Sequence, residues 1–208
     1  MHNSHIHLDI ARQRAEALRN EVHALRLPSE HRITIRPLTL RDREIVTEVF
    51  AGLGLESRIR RFHGPKKRLS RAEIRYLTEI DHHDHEALAA LTREGRGLGV
   101  ARFVRLHSRP DAAEVAIAVV DDWHGRGVGT ALMQLLGRRA RAVGVTHFTA
   151  AVTTENTAVP RLLKTINAEV VHQSRRGTVV QYEIVIPPDD ASADGLVACG
   201  VGGGPATG

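Results

Sequence analysis

A run of alternating apolar residues leads directly into a glycine-rich loop and then a helical pattern in AEVAIAVVDDWHGRGVGTAL, residues 113–132. When a strand ends in glycines at the start of a helix, backbone N–H groups stay unpaired and lie at the positive end of the helix dipole. Glycine suits such a loop because a side chain would block the close approach of the backbone to a phosphate. The stretch therefore predicts an anion site for a phosphate or pyrophosphate group.

The sequence of the loop excludes two common nucleotide-binding loops. A Walker A loop ends in Gly-Lys-Ser/Thr, whereas this loop ends in Gly129-Thr130-Ala131. The dinucleotide fingerprint G-x-G-x-x-G also fails, because Gly125, Gly127 and Gly129 occupy every second position. We therefore expect neither a P-loop nucleotide site nor a nicotinamide dinucleotide site here.

The strand before the loop carries one carboxylate on a face of small side chains. Alternate residues of a strand point to opposite sides, so Glu114 shares its face with alanines. The other face is bulky and suits a core under helices; it consists of Val115, Ile117 and Val119. A lone acid among alanines fits a general base beside a closely approaching ligand. An edge carboxylate in water is the alternative interpretation of Glu114.

The surrounding pattern predicts one domain built on an antiparallel meander. Two capping-box patterns, Thr39–Asp42 and Ser70–Glu73, mark the starts of helices before the meander. The predicted helices follow residues 42 and 70 and cover residues 56–62, 128–143 and 157–167. The predicted strands cover residues 33–38, 87–92, 98–106, 113–120, 147–152, 169–172 and 178–186. Short turns between the strands of residues 87–120 favour antiparallel pairing.

The two ends of the chain differ from this domain. Residues 1–30 are predicted as an N-terminal helical extension, residues 31–188 as the domain and residues 189–208 as a disordered tail rich in Gly and Ala. The extension carries one apolar stripe of Leu8, Ala11, Ala15, Leu18, Val22 and Leu25. We expect this stripe to pack on its own domain, and contact with a second subunit in a homodimer is the alternative.

Composition excludes several classes of protein. No run approaches the ~20 apolar residues of a membrane span, so a membrane protein is not expected. The only cysteine, Cys199, can form neither an internal disulfide nor a thiolate metal cage, which favours a cytoplasmic protein. A net charge of +5 suits polyanionic ligands, but a content of only 3% aromatic residues argues against a stacking platform for nucleic acid.

The cluster Asp81-His82-His83-Asp84-His85-Glu86 suggests a metal site at first sight. Adjacent ligands on one short segment rarely complete a tetrahedron, so no metal is expected there. His85 is a candidate for helping, through a water molecule, to remove a proton from a bound substrate.

His124-Gly125-Arg126-Gly127-Val128-Gly129 resembles the pyrophosphate loop Q/R-x-x-G-x-G/A of the GNAT N-acetyltransferase superfamily. The predicted order of elements from residue 32 to residue 186 is similar as well. Residues 57–62, 81–91 and 113–116 resemble segments of the mycobacterial Pat-type protein-lysine acetyltransferases, although no cyclic-nucleotide-binding domain is recognisable. The resemblance implies an α/β (α+β) GNAT fold, with a mixed, mostly antiparallel central sheet flanked by helices.

The resemblance also implies which residues bind acetyl-CoA. The loop would hold the pyrophosphate, the end of the preceding strand would pair with the pantetheine arm and polarise the thioester, and an asparagine after the next strand would contact the cofactor. His124 stands where Gln or Arg is usual, and Leu163 where many members have a tyrosine acid. The implied cofactor residues are Ala118, Val119, Val120, His124, Gly125, Arg126, Gly127, Val128, Gly129, Thr130 and Asn156.

The implied reaction needs a base more than it needs an acid. A lysine amine with a pKa of ~10.4 is almost wholly protonated near neutral pH and must lose a proton before it attacks a thioester. Glu114 is the candidate general base. The expected function is direct acetyl transfer in a ternary complex, from acetyl-CoA to an amine, with the ε-amine of a protein lysine as the preferred acceptor. The alternatives are a small-molecule amine acetyltransferase and a non-catalytic module that binds acyl-CoA or nucleic acid.

Overall fold

The computed structural model describes residues 21–62 and 64–187. These residues form eight strands, five α-helices and a short 3-10 turn at Asp121–Trp123. The strands are β1 (His23–Arg26), β2 (Arg32–Pro37), β3 (His85–Leu91), β4 (Gly97–Leu106), β5 (Arg109–Val119), β6 (His147–Thr153), β7 (Glu169–Arg176) and β8 (Val179–Val185). The helices are α1 (Arg43–Ala51), α2 (Leu55–Phe62), α3 (Arg71–Thr78), α4 (Val128–Ala142) and α5 (Ala158–Thr165).

The strands form one sheet in the order β1-β2-β3-β4-β5-β6-β8-β7. All neighbouring strands are antiparallel except β5 and β6, which are parallel. The parallel pairing extends only over Ala112–Glu114 and His147–Thr149. Beyond Glu114 the two strands separate, so a gap opens in the middle of the sheet.

Two hydrophobic cores cover the two faces of the sheet. Alternation along β3 divides its residues between them: Leu88 and Ala90 lie in the larger core with α4, and Ala87 and Ala89 lie in the smaller core with α1. The bulky face of β5, predicted to suit a core under helices, packs against the larger core. The predicted mixed, mostly antiparallel sheet flanked by helices is confirmed.

One of the two predicted capping boxes is present. At α3, Glu73 N–H donates to Ser70 Oγ (3.2 Å) and Ser70 N–H donates to Glu73 Oε2 (2.8 Å). At Thr39 the box prediction is wrong, because α1 begins only after Asp42. The Thr39 hydroxyl donates to the Asp42 carboxylate, which also accepts two bonds from Arg36 (2.6 and 2.8 Å), so the carboxylate fastens the β2–α1 connection.

The N-terminal helix prediction falls mostly on residues outside the described part of the chain. Where it can be checked, at residues 23–26, it is wrong, because these residues form β1 and pair with β2 from His23↔Ile35 to Arg26↔Arg32. Leu25 and Leu27 are buried through this pairing. The predicted tail, residues 189–208, also lies outside the described residues. No helix within residues 21–62 and 64–187 is long and apolar enough to cross a membrane.

Candidate functional site

A cavity of about 1110 Å³ opens where β5 and β6 separate. This volume lies just above the range of about 300–1000 Å³ that is common for small-molecule sites. The glycine loop and the start of α4 border one part of the cavity, and Glu114 borders another. Side chains of α2 and α5 also line it, so the cavity passes through the gap and reaches both faces of the sheet.

The glycine loop forms a cradle of unpaired backbone donors. Gly125 and Gly127 have φ values of +71° and +93°, which only glycine adopts without strain. Within the described residues, none of the backbone N–H groups from Gly125 to Thr130 donates to a protein acceptor, and the first helical bond of α4 runs from Ala131 N–H to Gly127 C=O. Five of these six residues line the cavity, and unpaired donors at a helix N-terminus suit a pyrophosphate.

The edge of β5 that faces the gap offers backbone groups from only some of the predicted residues. Val120 N–H donates to Leu98 C=O of the β4 side (2.9 Å). Because strand residues alternate in direction, Ala118 also faces β4, whereas Ile117 and Val119 face the gap. His124 Nε2 lies 2.8 Å from Val119 C=O and donates to it, since a carbonyl can only accept. The backbone groups that face the gap are therefore those of Ile117 and Val119, of which the Val119 C=O already accepts from His124, and not those of Ala118 and Val120.

Val128 and Asn156, two further predicted cofactor residues, have roles in the fold itself. Val128 is fully buried under the sheet and is not among the residues that line the cavity. Asn156 lines the cavity, but its Oδ1 accepts from the N–H groups of Ala158 (3.1 Å) and Val159 (3.3 Å) and so caps the start of α5. Its amide NH₂ is left for a ligand. Thr130, on the first turn of α4, lines the cavity as well.

Glu114 lies where β5 and β6 part, since its pairing with Thr149 is the last of the parallel ladder. At ~3.3 Å per residue, it is about 20 Å along the strand from Val120 and the loop that follows. Its side chain is exposed and lines the cavity together with Ser57 and Arg61 of α2. The structure thus places a carboxylate and an anion cradle at separate ends of one cavity.

Two arginines accompany Glu114 on its face of the sheet. Burial lowers the pKa of Arg61 below its ordinary value, and the negative charge of Glu114 offsets part of that effect. Burial, and then the positive charge of Arg61, lower the pKa of Arg102 to about 10. Arg102 donates to Leu77 C=O (2.8 Å) and to His85 Nε2 (3.1 Å). A cationic surrounding of this kind disfavours a further positive charge beside Glu114.

His85 is not among the residues that line the cavity. Because a guanidinium can only donate, the contact with Arg102 makes His85 Nε2 an acceptor and puts the ring proton on Nδ1. Burial and then the charge of Arg102 lower the pKa of His85, which keeps the ring neutral. The described residues therefore show no contact between His85 and the cavity through which it could assist proton removal.

The other members of the 81–86 cluster are engaged with protein groups. Asp81 Oδ1 accepts from three backbone N–H groups of residues 83–85 (2.8–2.9 Å), and these donors lower its pKa although burial alone would raise it. His82 and Arg139 both contact the carboxylate of Glu86, and Asp84 pairs with His83 and with Arg105. The cluster ties loops and strands together.

Sequence reasoning missed two parts of the cavity wall. The turn between β1 and β2 contributes Leu27, Pro28 and Ser29, which lie within the extension that was predicted to be helical. Helix α2 contributes Ser57 and Arg61. The helix itself was predicted, but nothing in its sequence shows that one of its faces covers β5. Leu25 and Leu27 alternate with Arg26 as in a strand, but an alternation this short does not distinguish β1 from the helical stripe.

A family model described as an acetyltransferase (GNAT) domain matches residues 32–169. Acetyltransferase Pat of Mycolicibacterium smegmatis is 34% identical over 183 residues, which are 87% of this chain and 54% of that protein. Acetyltransferase PA5475 of Pseudomonas aeruginosa is 32% identical over 115 residues, which are 54% of this chain and 61% of that protein. The chain spans a little over half the length of these curated relatives.

Solved structures resemble the whole domain. The GNAT domain of S. lividans PAT has a TM-score of 0.71 and 29% identity, and the match covers 79% of this chain and 96% of that one. The cAMP-binding acyltransferase from Mycobacterium smegmatis has a TM-score of 0.56 and 32% identity over 88% of this chain and 52% of that one. The structure of yncA from Salmonella typhimurium, solved with its cofactor acetyl-CoA, has a TM-score of 0.60. Its sequence identity is 17%, so this match shows similarity of fold alone.

Proposed function

The chain belongs to the GNAT acetyltransferase family, and from that membership we propose that it transfers the acetyl group of acetyl-CoA to the ε-amine of lysine in a protein substrate. The observation that carries this proposal is the single cavity with an anion cradle at one end and an exposed carboxylate at the other. Acetyl-CoA matches the cradle through its pyrophosphate and the gap in the sheet through its extended pantetheine arm. The acceptor amine then approaches from the side of Glu114.

Different residues of the cavity bind different parts of acetyl-CoA. The N–H groups from Gly125 to Thr130 hold the pyrophosphate at the start of α4. Ile117 and Val119 offer backbone groups to the pantetheine amides along the gap. The amide of Asn156 adds a donor from the neighbouring α5 side of the cavity. With the cofactor so extended, the thioester reaches the region of Glu114.

Glu114 serves as the general base in this proposal. Its carboxylate accepts a proton from the acceptor ammonium, and the neutral amine attacks the thioester carbonyl. The tetrahedral intermediate collapses to the amide; the attacking nitrogen loses its second proton, and the departing CoA thiolate takes up that proton. The positive charge of Arg61 disfavours the ammonium form of an amine beside it, which assists the same proton transfer.

The acceptor side of the cavity suits a protein surface. Glu114 is exposed, and α2 beside it carries two exposed apolar residues, Leu55 (66% exposed) and Ile59 (39%), one helical turn apart. Ser57 and Arg61 of the same helix line the cavity. Leu55 and Ile59 lie on the side of α2 opposite to these two lining residues, so they flank the site and do not line it. The likeness to Pat supports the same substrate class, and a cytoplasmic location follows for an enzyme of this kind.

The experiment that tests the function follows labelled acetyl groups from acetyl-CoA. The purified protein is incubated with folded lysine-bearing proteins, with the same proteins after reductive dimethylation of their lysines, and with small polyamines, and the products are read by mass spectrometry. We expect acetyl-lysine in the unmodified proteins only. Acetylation confined to the polyamines would make it a small-molecule acetyltransferase, and CoA binding without any product would make it a non-catalytic module.

A further inference from the structure

The turn between β1 and β2, residues 27–31 (hereafter the 27–31 turn), rests on the glycine loop. Leu27 N–H donates to His31 C=O and Glu30 N–H donates to Leu27 C=O, both at 2.8 Å, so the turn is closed by its own bonds. Leu27 is 2% exposed and anchors the turn in the larger core. Glu30 has a φ of +67°, a conformation that a non-glycine residue keeps only where its surroundings impose it. The turn is a fixed element.

Ser29 determines the orientation of one peptide unit in the cradle. Its hydroxyl donates to Arg126 C=O (2.9 Å) across 97 residues of sequence. A trans peptide is planar, and its C=O and N–H point in opposite directions. Holding the Arg126 carbonyl on the side of Ser29 therefore directs the N–H of Gly127 away from Ser29. The bond removes the alternative in which this peptide flips and presents a carbonyl to the pyrophosphate.

His31 holds the side chain of the same loop residue. Arg126 Nη1 donates to His31 Nε2 (3.3 Å), and His31 Nδ1 donates to Ser29 C=O (2.8 Å). These two bonds require the neutral ring with its proton on Nδ1, since arginine has no acceptor. His31 also meets Trp123 edge-on at 5.0 Å, and the guanidinium of Arg126 lies 5.2 Å from the same indole ring. The three side chains form one cluster over the loop.

Pro28 closes the contact between the turn and the loop. A Cβ built on Gly127 would lie 3.1 Å from Pro28 Cδ, so the loop backbone and the proline ring are in direct contact. Proline has a fixed φ and cannot move aside as a flexible side chain does. The loop is thus held by a hydrogen bond to its backbone, by an acceptor for its arginine and by a rigid ring against its glycine.

We propose that Ser29 and His31 are positioning residues for acetyl-CoA, which hold the glycine loop in its anion-binding conformation before the cofactor arrives. The inference rests on the proposed acetyl-CoA site. A loop that is already ordered loses less conformational entropy on binding, which strengthens affinity without a new contact to the ligand. The chemical step at Glu114 lies at the other end of the cavity and is left unchanged.

The test compares acetyl-CoA binding and turnover for the wild type, Ser29→Ala, His31→Ala and His31→Gln. Binding of CoA and acetyl-CoA is measured by calorimetry and kcat is measured at saturating acetyl-CoA, well below each melting temperature. Loss of one hydrogen bond of this kind reduces affinity about five- to tenfold. We expect that loss in both alanine variants with kcat unchanged. His31→Gln should recover most of it, because its amide oxygen accepts from Arg126. The control is Arg32→Ala, an exposed residue beside the turn.

The possible results distinguish a failure of this inference from a failure of the proposed acetyl-CoA site. Wild-type affinity in both alanine variants would overturn the inference and leave the acetyl-CoA site intact. An equal loss in Arg32→Ala, or a fall in kcat as large as the fall in affinity, would reduce the turn to a structural element and also overturn it. Failure of the wild type to bind CoA at all would instead overturn the proposed site and the inference together.

Discussion

Replacing Arg139 with methionine should destabilise the protein by about 3–5 kcal/mol, because the change leaves a buried carboxylate without its cationic partner. Arg139 of α4 and Glu86 of β3 are 4% and 2% exposed. Arg139 Nε donates to Glu86 Oε2 (2.8 Å), and Nη2 lies 2.7 Å from the same oxygen. His82 Nδ1 and Ala87 N–H contact Glu86 Oε1 at 2.9 and 2.8 Å. The pair fastens the far half of the helix whose first turn carries the cradle.

The predicted loss is large compared with the total stability of a domain, which is about 5–15 kcal/mol. For a chain of this size it corresponds to a fall of roughly 6–20 °C in Tm. Methionine keeps most of the length and apolar volume of the arginine stem, so the loss of the charged partner, not a cavity, accounts for the effect. Arg176→Met on the exposed strand β7 is the control and should change stability by less than about 0.5 kcal/mol.

The assay is a double-mutant cycle measured by denaturant unfolding. Glu86→Met and Arg139→Met should each be strongly destabilising, whereas the double variant Glu86→Met/Arg139→Met should recover much of the loss, because two apolar side chains pack without a buried charge. Single losses that simply add in the double variant would refute the reasoning, since they would mean that the two side chains are not coupled. A fall of less than about 1 kcal/mol in Arg139→Met would refute it as well.

Three further predictions concern the glycine loop, the cap of α3 and the carboxylate of Glu73. Gly127→Ala should cost roughly 1–3 kcal/mol of stability, because alanine is strained at a φ of +93°, and it should also weaken CoA binding. The control is Gly95→Ala, at a φ of +85° with nothing within 4 Å of the added Cβ, which should lower stability but not CoA affinity. Unfolding curves measure the first effect and calorimetry with CoA measures the second. Ser70→Ala should lower stability by about 1 kcal/mol through loss of the α3 cap. A hydrogen bond from Lys66, followed by those from Ser70, lowers the pKa of Glu73 to about 2. The small contribution of Glu73 to the free energy of unfolding is therefore fully present above the unfolded pKa of ~4.3 and is lost as the pH falls towards 2. Acid unfolding of Glu73→Gln, compared with the wild type, measures this contribution.

The local patterns of the sequence predicted most of the elements. Helix α3 was predicted from Ser70 and Glu73 because a capping box is a contact between residues three apart. The face of Glu114 was predicted because strand alternation needs only neighbouring residues, and the bulky face of β5 does pack against the larger core. Signals that depend on a few adjacent residues were therefore sufficient for most of the elements and for naming Glu114 as the base candidate, whereas the overall fold was predicted from the resemblance to the GNAT superfamily.

Signals that depend on distant residues were not available from one sequence. Residues 23–26 fitted a helical stripe, and only pairing with β2 shows that they form a strand. The contact between Ser29 and Arg126 spans 97 residues and has no local pattern. The nearness of Arg61 to Glu114 likewise arises from the packing of α2 over β5. Tertiary contacts of this kind complete the site.

The central claim is that Glu114 removes a proton from the acceptor amine at the opposite end of the cavity from the CoA cradle. Glu114→Gln keeps the size and hydrogen bonding of the side chain but cannot accept that proton. General-base catalysis is worth ~10²–10⁴-fold, so kcat for acetyl transfer to a lysine-bearing protein should fall by that factor near neutral pH. Acetyl-CoA affinity should stay the same, because its cradle consists of backbone groups of residues 125–130.

The most direct measurement is kcat of wild type and Glu114→Gln from neutral to alkaline pH, with acetyl-CoA affinity measured in parallel. The deficit of the variant should shrink as pH rises towards the acceptor pKa of ~10.4, because the amine then loses its proton without a base. Wild-type turnover by Glu114→Gln at the neutral end would contradict the account. Equal losses of affinity and turnover at every pH would contradict it too, since Glu114 would then support the cofactor strand and not the proton transfer.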